Sequence, residues 1–212
     1  MRKMMKSRLP KLNAKHRICI ICEGDEEYDY LNRLKQLQVW HSQYEVTLDN
    51  AQGNGNIFAR YQDRYQNGNY ELVLVLCDTD KKPYEQYVDI KRKINEFHDL
   101  PCAEKRVIFF CNPCIMQVIL SHFDNVKLTT SAKKMNSCLI ETLTGVANYK
   151  AKKKQRDFIN QQITHENFKN MLDRVRSMSN SDIIPSSSNF DSLMDGLLSQ
   201  DAKWIRLINQ GL

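Results

Sequence analysis

Three short runs of consecutive apolar residues stand out along the chain, at residues 18–22, 72–77 and 107–111. These runs do not alternate with polar residues, which is typical of strands buried on both faces of a parallel sheet. Residues 44–48 do alternate and predict a fourth strand near an edge of the sheet. The pattern therefore predicts a parallel sheet of about four strands.

Segments with the spacing of amphipathic helices lie between these strands. Two sets of apolar residues each share one helical face, namely Tyr30, Leu31, Leu34 and Leu37, then Tyr87, Ile90, Ile94 and Phe97. Residues 54–65 predict a further helix after the turn signal at residues 53–55. Strands that alternate with helices predict βαβ units, and therefore an α/β fold with helices flanking the sheet.

The second half of the chain predicts helices and no further strand. Residues 113–123 are mostly apolar and predict a helix after the fourth strand. Helical spacing returns within residues 158–175. Ser188 or Asn189 is a candidate N-cap for a last helix that runs through Trp204.

Charge is unevenly distributed along the 212 residues, whose formal net charge is +6. Residues 1–17 carry seven Lys or Arg and no acid, which predicts a basic N-terminal arm. Residues 18–126, the expected α/β core, have a net charge of −6, and residues 127–212, expected to be helical and partly basic, have +5. An acidic block between basic ones suits a metal-using enzyme that acts on a polyanion, although solvated surface charges would give the same pattern.

Composition excludes several classes of protein. Hydrophobic residues make up 42% and charged residues 26%, as in soluble globular proteins. No run approaches the ~18 to 20 apolar residues of a membrane span, and the apolar stretch after the basic start is shorter than the ~7 to 15 of a signal peptide. Seven cysteines, several inside apolar runs, predict reduced thiols and a cytoplasmic protein.

Acidic residues follow two of the predicted strands. Glu23 and Gly24 follow the first strand, and Asp78 and Asp80 follow the strand at residues 72–77. Ligands of parallel α/β sheets bind outside the carboxyl ends of the strands, so we expect these carboxylates to share one crevice. Carboxylates brought together repel one another unless a cation screens them, and Mg²⁺ or Mn²⁺ would do so. Gly24 would let a phosphate approach the backbone closely.

Helix capping and core packing would also account for acids and cysteines in these positions. Carboxylates at strand ends cap the helices that follow, without any metal. Two Cys-x-x-Cys pairs, at residues 19–22 and 111–114, imitate a zinc site. Cysteines three apart on a strand point to opposite faces, so the first pair is expected in the core.

The two acidic motifs resemble those of a known fold. Glu-Gly after the first strand, with Asp-x-Asp after a later one, resembles the Toprim fold of topoisomerases, primases and OLD-type nucleases. Residues 21–31, 76–80 and 112–123 are similar in order and spacing to motifs of RloB-like proteins. The resemblance covers roughly residues 18–160. Residues 74–80 are also similar to the opening of haloacid-dehalogenase-type phosphatases, although those begin on the first core strand.

The resemblance implies a Mg²⁺-dependent site that cleaves or transfers phosphodiesters, in antiphage or abortive-infection defence. It implies that Glu23 acts as general acid or base and that Asp78 and Asp80 hold the metal, with Glu23 as a further ligand. The chain departs from the RloB-like pattern at Met116, where that family has a glutamate. A second metal is therefore in doubt, unless another carboxylate such as Asp124 replaces the missing one.

Several residues are candidates for contact with nucleic acid. Lys81 and Lys82 directly follow the Asp-x-Asp motif and could contact a phosphate. Tyr149 precedes the basic residues Lys152, Lys153 and Lys154, a pattern that suits stacking and phosphate contact on a single strand, or a solvated helix end.

Two further residues are candidates for lining the site. Asn112 and His122 lie within the third motif. A buried histidine with its hydrogen bonds satisfied is an equally good interpretation of His122.

These observations lead to a functional expectation with two rivals. The first hypothesis is a cytoplasmic, metal-dependent nuclease of the Toprim type that acts on DNA or RNA, with an ATPase of a defence operon as candidate partner. The second is a catalytically degenerate protein of the same family that binds nucleic acid or a partner. The third is a small-molecule phosphohydrolase, which would need an enclosed pocket of phosphate size.

Overall fold

The computed structural model describes residues 15–79 and 84–212. Helices and strands alternate through its first half, and helices dominate the second half. In chain order the elements are β1 (His16–Cys22), α1 (Asp25–Gln36), β2 (Tyr44–Asn50), α2 (Asn54–Asn67), β3 (Leu72–Asp78), α3 (Tyr84–His98), α4 (Glu104–Val107), β4 (Ile108–Asn112), α5 (Met116–Leu120), α6 (Lys133–Thr144), α7 (Lys153–Gln161), α8 (His165–Arg176), β5 (Ser187–Ser188), α9 (Phe190–Leu198) and α10 (Lys203–Asn209).

The sheet is mostly parallel, with the strand order β2-β1-β3-β4-β5. Strands β1 to β4 run parallel, and the two-residue β5 pairs antiparallel with β4. In register, Ile20 of β1 lies between Leu48 of β2 and Leu74 of β3. From β1 the chain adds β2 on one side and later places β3 on the other. The loops after β1 and β3 therefore diverge, and a crevice opens between them.

The core forms because apolar residues of the sheet meet apolar faces of the helices. Every residue of β3 is buried, as expected for a central strand covered on both faces. Tyr30, Leu31 and Leu34 of α1 are fully buried, and Ile94 of α3 is buried in the same core. The predicted α/β architecture, its four main strands and its first three helices are therefore confirmed.

Some predictions for the later part of the chain are wrong in detail. The helix predicted at residues 113–123 is only the five-residue α5. The residues of this run are apolar because they are buried, and a buried run need not be a long helix. The single last helix is in fact α9 and α10, separated near Ser199. A strand, β5, follows the predicted end of strand signals, because two serines carry no hydrophobic pattern. The helix α6 is an element that the hydrophobic pattern does not predict.

The residues after 126 pack closely on the sheet and its helices. Phe190 of α9 is buried in the core with its ring 5.7 Å from that of Tyr30. The guanidinium of Arg33 on α1 donates to the carbonyl of Ile163 at 2.8 Å. Among the described residues, no helix has the length and apolar character needed to cross a bilayer.

Replacing Leu74 by alanine tests the central position of β3. Leu74 is 0% exposed, whereas Leu207 of α10 is 61% exposed. We expect Leu74→Ala to lower the free energy of unfolding by about 2–5 kcal/mol, because it leaves a cavity in the core. Leu207→Ala, the same change at the surface, is expected to stay within about 0.5 kcal/mol. Urea unfolding followed by circular dichroism measures both, and equal losses would contradict the described packing.

Candidate functional site

The carboxyl ends of β1 and β3 bring Glu23 and Asp78 together. Glu23 directly follows β1, and its backbone N–H donates to the carbonyl of Leu76 in β3 at 3.0 Å. The Glu23 carboxylate in turn accepts a hydrogen bond from the backbone N–H of Asp78, with a distance of 2.8 Å from N to Oε2. Glu23 and Asp78 thus line the same cavity, as expected from the parallel sheet.

The Asp78 side chain is held by the segment that follows β4. Its Oδ1 accepts the backbone N–H of Ile115 at 2.7 Å, next to the start of α5. Asp78 is only 8% exposed, so its side chain is surrounded mostly by protein. The carboxylate therefore bonds to a backbone N–H near the start of α5, as a capping role requires.

The cavity at this rim has a volume of about 600 Å³ and an acidic wall. Its carboxylates come from the end of β1, the first turn of α1 and the end of β3. Lys133 of α6 and Arg156 of α7 supply its cationic side chains. The full lining consists of Glu23, Gly24, Asp25, Glu26, Glu27, Gln52, Asp78, Cys114, Met116, Ser131, Lys133, Asn136, Ile140, Ala151 and Arg156.

Cationic and phenolic groups from the C-terminal half bind the acidic first turn of α1. Glu26 accepts from Lys133 Nζ at 2.5 Å and from the Tyr149 hydroxyl at 2.8 Å. Arg156 donates to Asp29 at 2.7 Å and to Asp25 at 3.0 Å. These pairs offset the repulsion between the carboxylates of the first turn, and they fix Lys133 and Arg156 beside the cavity.

Against the effect of burial, the pKa of Lys133 is raised by its direct partner Glu26 and also by other acidic groups of the cavity wall. Burial alone would lower the pKa of its ammonium group. The adjacent Glu26 and, farther away, Asp78 nevertheless hold that pKa above its ordinary value. Lys133 is therefore a charged donor facing the carboxylates.

Glu27 is the most deeply buried carboxylate of the wall. Its Oε2 accepts the backbone N–H of Gly24 at 2.9 Å, which caps the start of α1. Burial, the largest cause, and the neighbouring Glu26 raise the pKa of Glu27 to about 7, against the lowering effect of backbone N–H bonds and Lys133. Near neutral pH this side chain is thus poised between its neutral and charged forms.

The structure describes some of the residues that were predicted at the carboxyl ends of β1 and β3, but not all of them. Glu23, Gly24 and Asp78 line the cavity together. Asp80, Lys81 and Lys82 lie outside the described residues, so their contribution stays a prediction.

Met116 and Asp124 bear on the departure from the RloB-like pattern. Met116 is buried and lines the cavity together with Asp78 and Cys114. Asp124 does not line the cavity and instead accepts the N–H of Asn125 at 2.7 Å. The additional acids of the wall are Glu26 and Glu27 of α1, and not Asp124 as the sequence had suggested.

The basic stretch divides into a buried aromatic and exposed lysines. Tyr149 is 3% exposed and donates to Glu26, so its ring is not available for stacking on a base. Lys152 and Lys154 are exposed, and the exposed Lys153 pairs with Asp157 at 2.9 Å. The lysines thus lie at the surface, at the beginning of α7.

Asn112 and His122 do not line the cavity. The Asn112 amide donates to the carbonyl of Asp182 at 2.7 Å. His122 is buried with its Nε2 2.9 Å from the Tyr30 hydroxyl and its Nδ1 3.1 Å from Asn167 Oδ1. Burial lowers the pKa of His122 to about 4. Its geometry is that of a buried histidine with satisfied hydrogen bonds.

The donor set of the cavity fits a hard divalent cation. In the part of the chain that the structure describes, no three His, Cys, Asp or Glu side chains are grouped as ligands of one metal. Mg²⁺ is commonly held by one or two carboxylates together with water and substrate phosphate oxygens. Glu23 and Asp78 supply that number of carboxylates at a single rim, and all of their donor atoms are oxygens.

Sequence reasoning missed the cations and the helical acids of the wall. Lys133 and Arg156 lie more than 100 residues from their partners on α1, so no local motif marks them. The run of acids at residues 25–27 directly follows the predicted site residues Glu23 and Gly24, and this adjacency was the available signal.

Comparisons with known proteins gave no match. No family model matches the chain, and no curated protein or solved structure matches it. The fold and the cavity are therefore the observations on which a proposal of function can stand.

The pKa of Glu27 makes stability depend on pH. In the unfolded chain this carboxyl ionises near pH 4.5, and in the folded protein near pH 7. The folded state therefore holds the proton more tightly, and this contribution to stability is complete below about pH 4.5 and is lost as the pH rises through about 7. Glu27→Gln cannot ionise and keeps an oxygen that can accept the Gly24 N–H.

We expect the stability of the wild type relative to Glu27→Gln to fall by about 3 kcal/mol between about pH 4 and pH 8. Urea unfolding at a series of pH values measures this difference. Glu141→Gln on the exposed face of α6 serves as control for the loss of one carboxyl group. Parallel curves for the wild type and Glu27→Gln would contradict the assigned pKa.

Proposed function

We propose that the protein is a metal-dependent nuclease whose reaction centre is the cavity at the carboxyl ends of β1 and β3. The observation that carries this proposal is the hydrogen bond from the Asp78 N–H to the Glu23 carboxylate. It holds two carboxylates at one rim, beside Lys133 and Arg156. Carboxylates that bind a divalent cation and cationic groups that bind a phosphate are what phosphodiester cleavage requires.

Mg²⁺ or Mn²⁺ would be held by Glu23 and Asp78, with Asp80 as a further expected ligand. When bound, such a cation neutralises the charge that develops on a phosphodiester during cleavage. The protein's own contribution begins with orientation, because the Ile115 N–H and the Asp78 N–H fix one oxygen of each carboxylate.

Glu23, Lys133 and Arg156 have separate tasks in this proposal. Lys133 Nζ and the Arg156 guanidinium donate hydrogen bonds to non-bridging phosphate oxygens and orient the phosphate toward the carboxylates. As the water oxygen attacks phosphorus, the bond from phosphorus to the leaving sugar oxygen breaks. The Glu23 carboxylate accepts the proton of the attacking water, and the leaving oxygen takes a proton from solvent. Gly24, which lines the same cavity, leaves room for the phosphate beside the start of α1.

A nucleic-acid substrate is supported by the lysines at the start of α7. Lys152, Lys153 and Lys154 are exposed and lie in the chain between Ala151 and Arg156, which both line the cavity. Cations at a helix N-terminus are unfavourable, because the helix dipole is positive at that end. Proteins depart from such local preferences mostly at functional sites, where a bound ligand can offset the cost. A polyanion that extends from the cavity across this helix start would be such a ligand.

The resemblance to RloB-like and OLD-type proteins also suggests a role for the protein in the cell. On that resemblance, the protein acts in antiphage or abortive-infection defence, as a cytoplasmic protein with an ATPase of a defence operon as partner.

Met116 favours a second candidate function. A methionine in the wall of the cavity gives no ligand where RloB-like proteins have a glutamate. A protein with that loss could keep the nucleic-acid surface and bind nucleic acid or a partner without cleaving it.

Isosteric changes at the two carboxylates test the nuclease proposal. We expect Glu23→Gln and Asp78→Asn each to lower Mg²⁺-dependent cleavage by about 10²–10⁴-fold, while both variants keep the oxygen that accepts a backbone N–H. Cleavage of plasmid, single-stranded DNA and total RNA measures the effect. Glu45→Gln on the exposed side of β2 is the control and should cleave like the wild type. Full activity of both site variants would rule the proposal out.

Calorimetry with Mn²⁺ and Mg²⁺ separates the nuclease from the degenerate protein. The nuclease should bind Mn²⁺, and Asp78→Asn should weaken that binding at least about tenfold, because it removes a charged ligand. A wild type that binds nucleic acid but neither cation would support the second candidate function instead.

A further inference from the structure

A second cavity borders β4 and shares no lining residue with the first. It has a volume of about 390 Å³ and lies among α3, α4, the first half of β4 and the segment before and after β5. Its wall consists of Tyr87, Lys91, Glu104, Lys105, Ile108, Phe110, Asn180, Asp182, Asn189 and Ser192. This volume is within the range of about 300–1,000 Å³ that is usual for small-molecule sites.

Glu104 gives this cavity a buried carboxylate that nothing in the described chain satisfies. The residue is 6% exposed, and its Oε2 is buried without any hydrogen-bond partner among the described residues. The backbone N–H of Glu104 is satisfied by Asn95, so the deficit concerns the side chain alone. A buried carboxylate oxygen without a donor is costly, and the position of Glu104 in a cavity wall points to a donor that a ligand brings.

The other charges of the cavity complement Glu104. Asp182 is already bound, since it accepts from Lys91 Nζ at 2.6 Å and from the Tyr87 hydroxyl at 3.0 Å. Lys105 is exposed on α4 and forms no ion pair with any described acid. The cavity thus presents one carboxylate and one ammonium group for a ligand that carries both charges.

The apolar part of the wall belongs to β4 and lies beside the polar side chains of Asn180, Asn189 and Ser192. Ile108 and Phe110 of β4 are buried and line the cavity. The Asn189 side chain accepts the Phe110 N–H at 2.7 Å and donates to the Ile108 carbonyl at 3.2 Å. Asn189 therefore satisfies the edge of β4 here, which disfavours an added peptide strand as the occupant and favours a small molecule.

We propose that this second cavity binds a free amino acid with an apolar side chain. Its ammonium group donates to the Glu104 carboxylate, its carboxylate pairs with Lys105, and its side chain packs against Ile108 and Phe110. The site is independent of the proposed nuclease centre, because neither its residues nor its chemistry involve Glu23 or Asp78.

The first test is binding of L-leucine, L-methionine and L-phenylalanine by calorimetry. We expect at least one of them to bind the wild type, and 3-methylbutylamine and 4-methylpentanoic acid, which each lack one charged group of leucine, to bind at least about tenfold more weakly. Glu104→Gln should weaken the amino acid at least about tenfold, whereas Glu45→Gln should leave binding unchanged. Absence of binding to the wild type, or equal binding by Glu104→Gln, would overturn the proposal.

The second test compares melting temperatures without and with the amino acid, and it distinguishes a binding role from a structural one. If the Glu104 carboxylate is unsatisfied in the free protein, Glu104→Gln should raise the melting temperature, by about 2–4 °C for a chain of this size. The same concentration of amino acid should raise the melting temperature of the wild type by more than that of Glu104→Gln. A lower melting temperature of Glu104→Gln without ligand would show that Glu104 supports the fold, and would overturn the proposal.

Discussion

The pairing of β1 with β3 is the constraint on which the site depends. In the sheet, β2 lies on one side of β1 and β3 lies on the other. The loops that follow β1 and β3 therefore diverge and leave a crevice between them. Glu23 enters this crevice, and its carboxylate accepts the Asp78 N–H at 2.8 Å. This one hydrogen bond couples the end of the first strand to the end of the third. The acidic wall, and any cation that it holds, follow from that coupling.

Side chains from the C-terminal half of the chain offset the repulsion between the carboxylates of the acidic wall. Glu26 and its neighbours on α1 would repel one another, but Lys133, Tyr149 and Arg156 reach them from residues 107 to 131 positions later in the chain. These contacts stabilise the wall and place two cations beside it. The C-terminal helices are therefore part of the site's construction, and the same groups that neutralise the wall are available to a phosphate.

The α/β fold and the meeting of Glu23 with Asp78 were predictable from the sequence, because both follow from local patterns. Continuous apolar runs reveal buried parallel strands, and the topology of such sheets brings strand ends together. Lys133 and Arg156 were not predictable, because their roles arise from packing between distant helices. Tyr149 was predicted as a surface residue beside lysines, but its ring is buried against Glu26, a contact that composition cannot reveal. The unsatisfied carboxylate of Glu104 likewise becomes visible only when burial is known.

The most direct test of a shared cation is a crystal structure of the protein grown with Mn²⁺ and recorded at a wavelength where manganese scatters anomalously. We expect an anomalous peak within coordinating distance of oxygens of both Glu23 and Asp78. A peak bound elsewhere on the chain, or none at saturating Mn²⁺, would contradict the claim that these two carboxylates share a divalent cation.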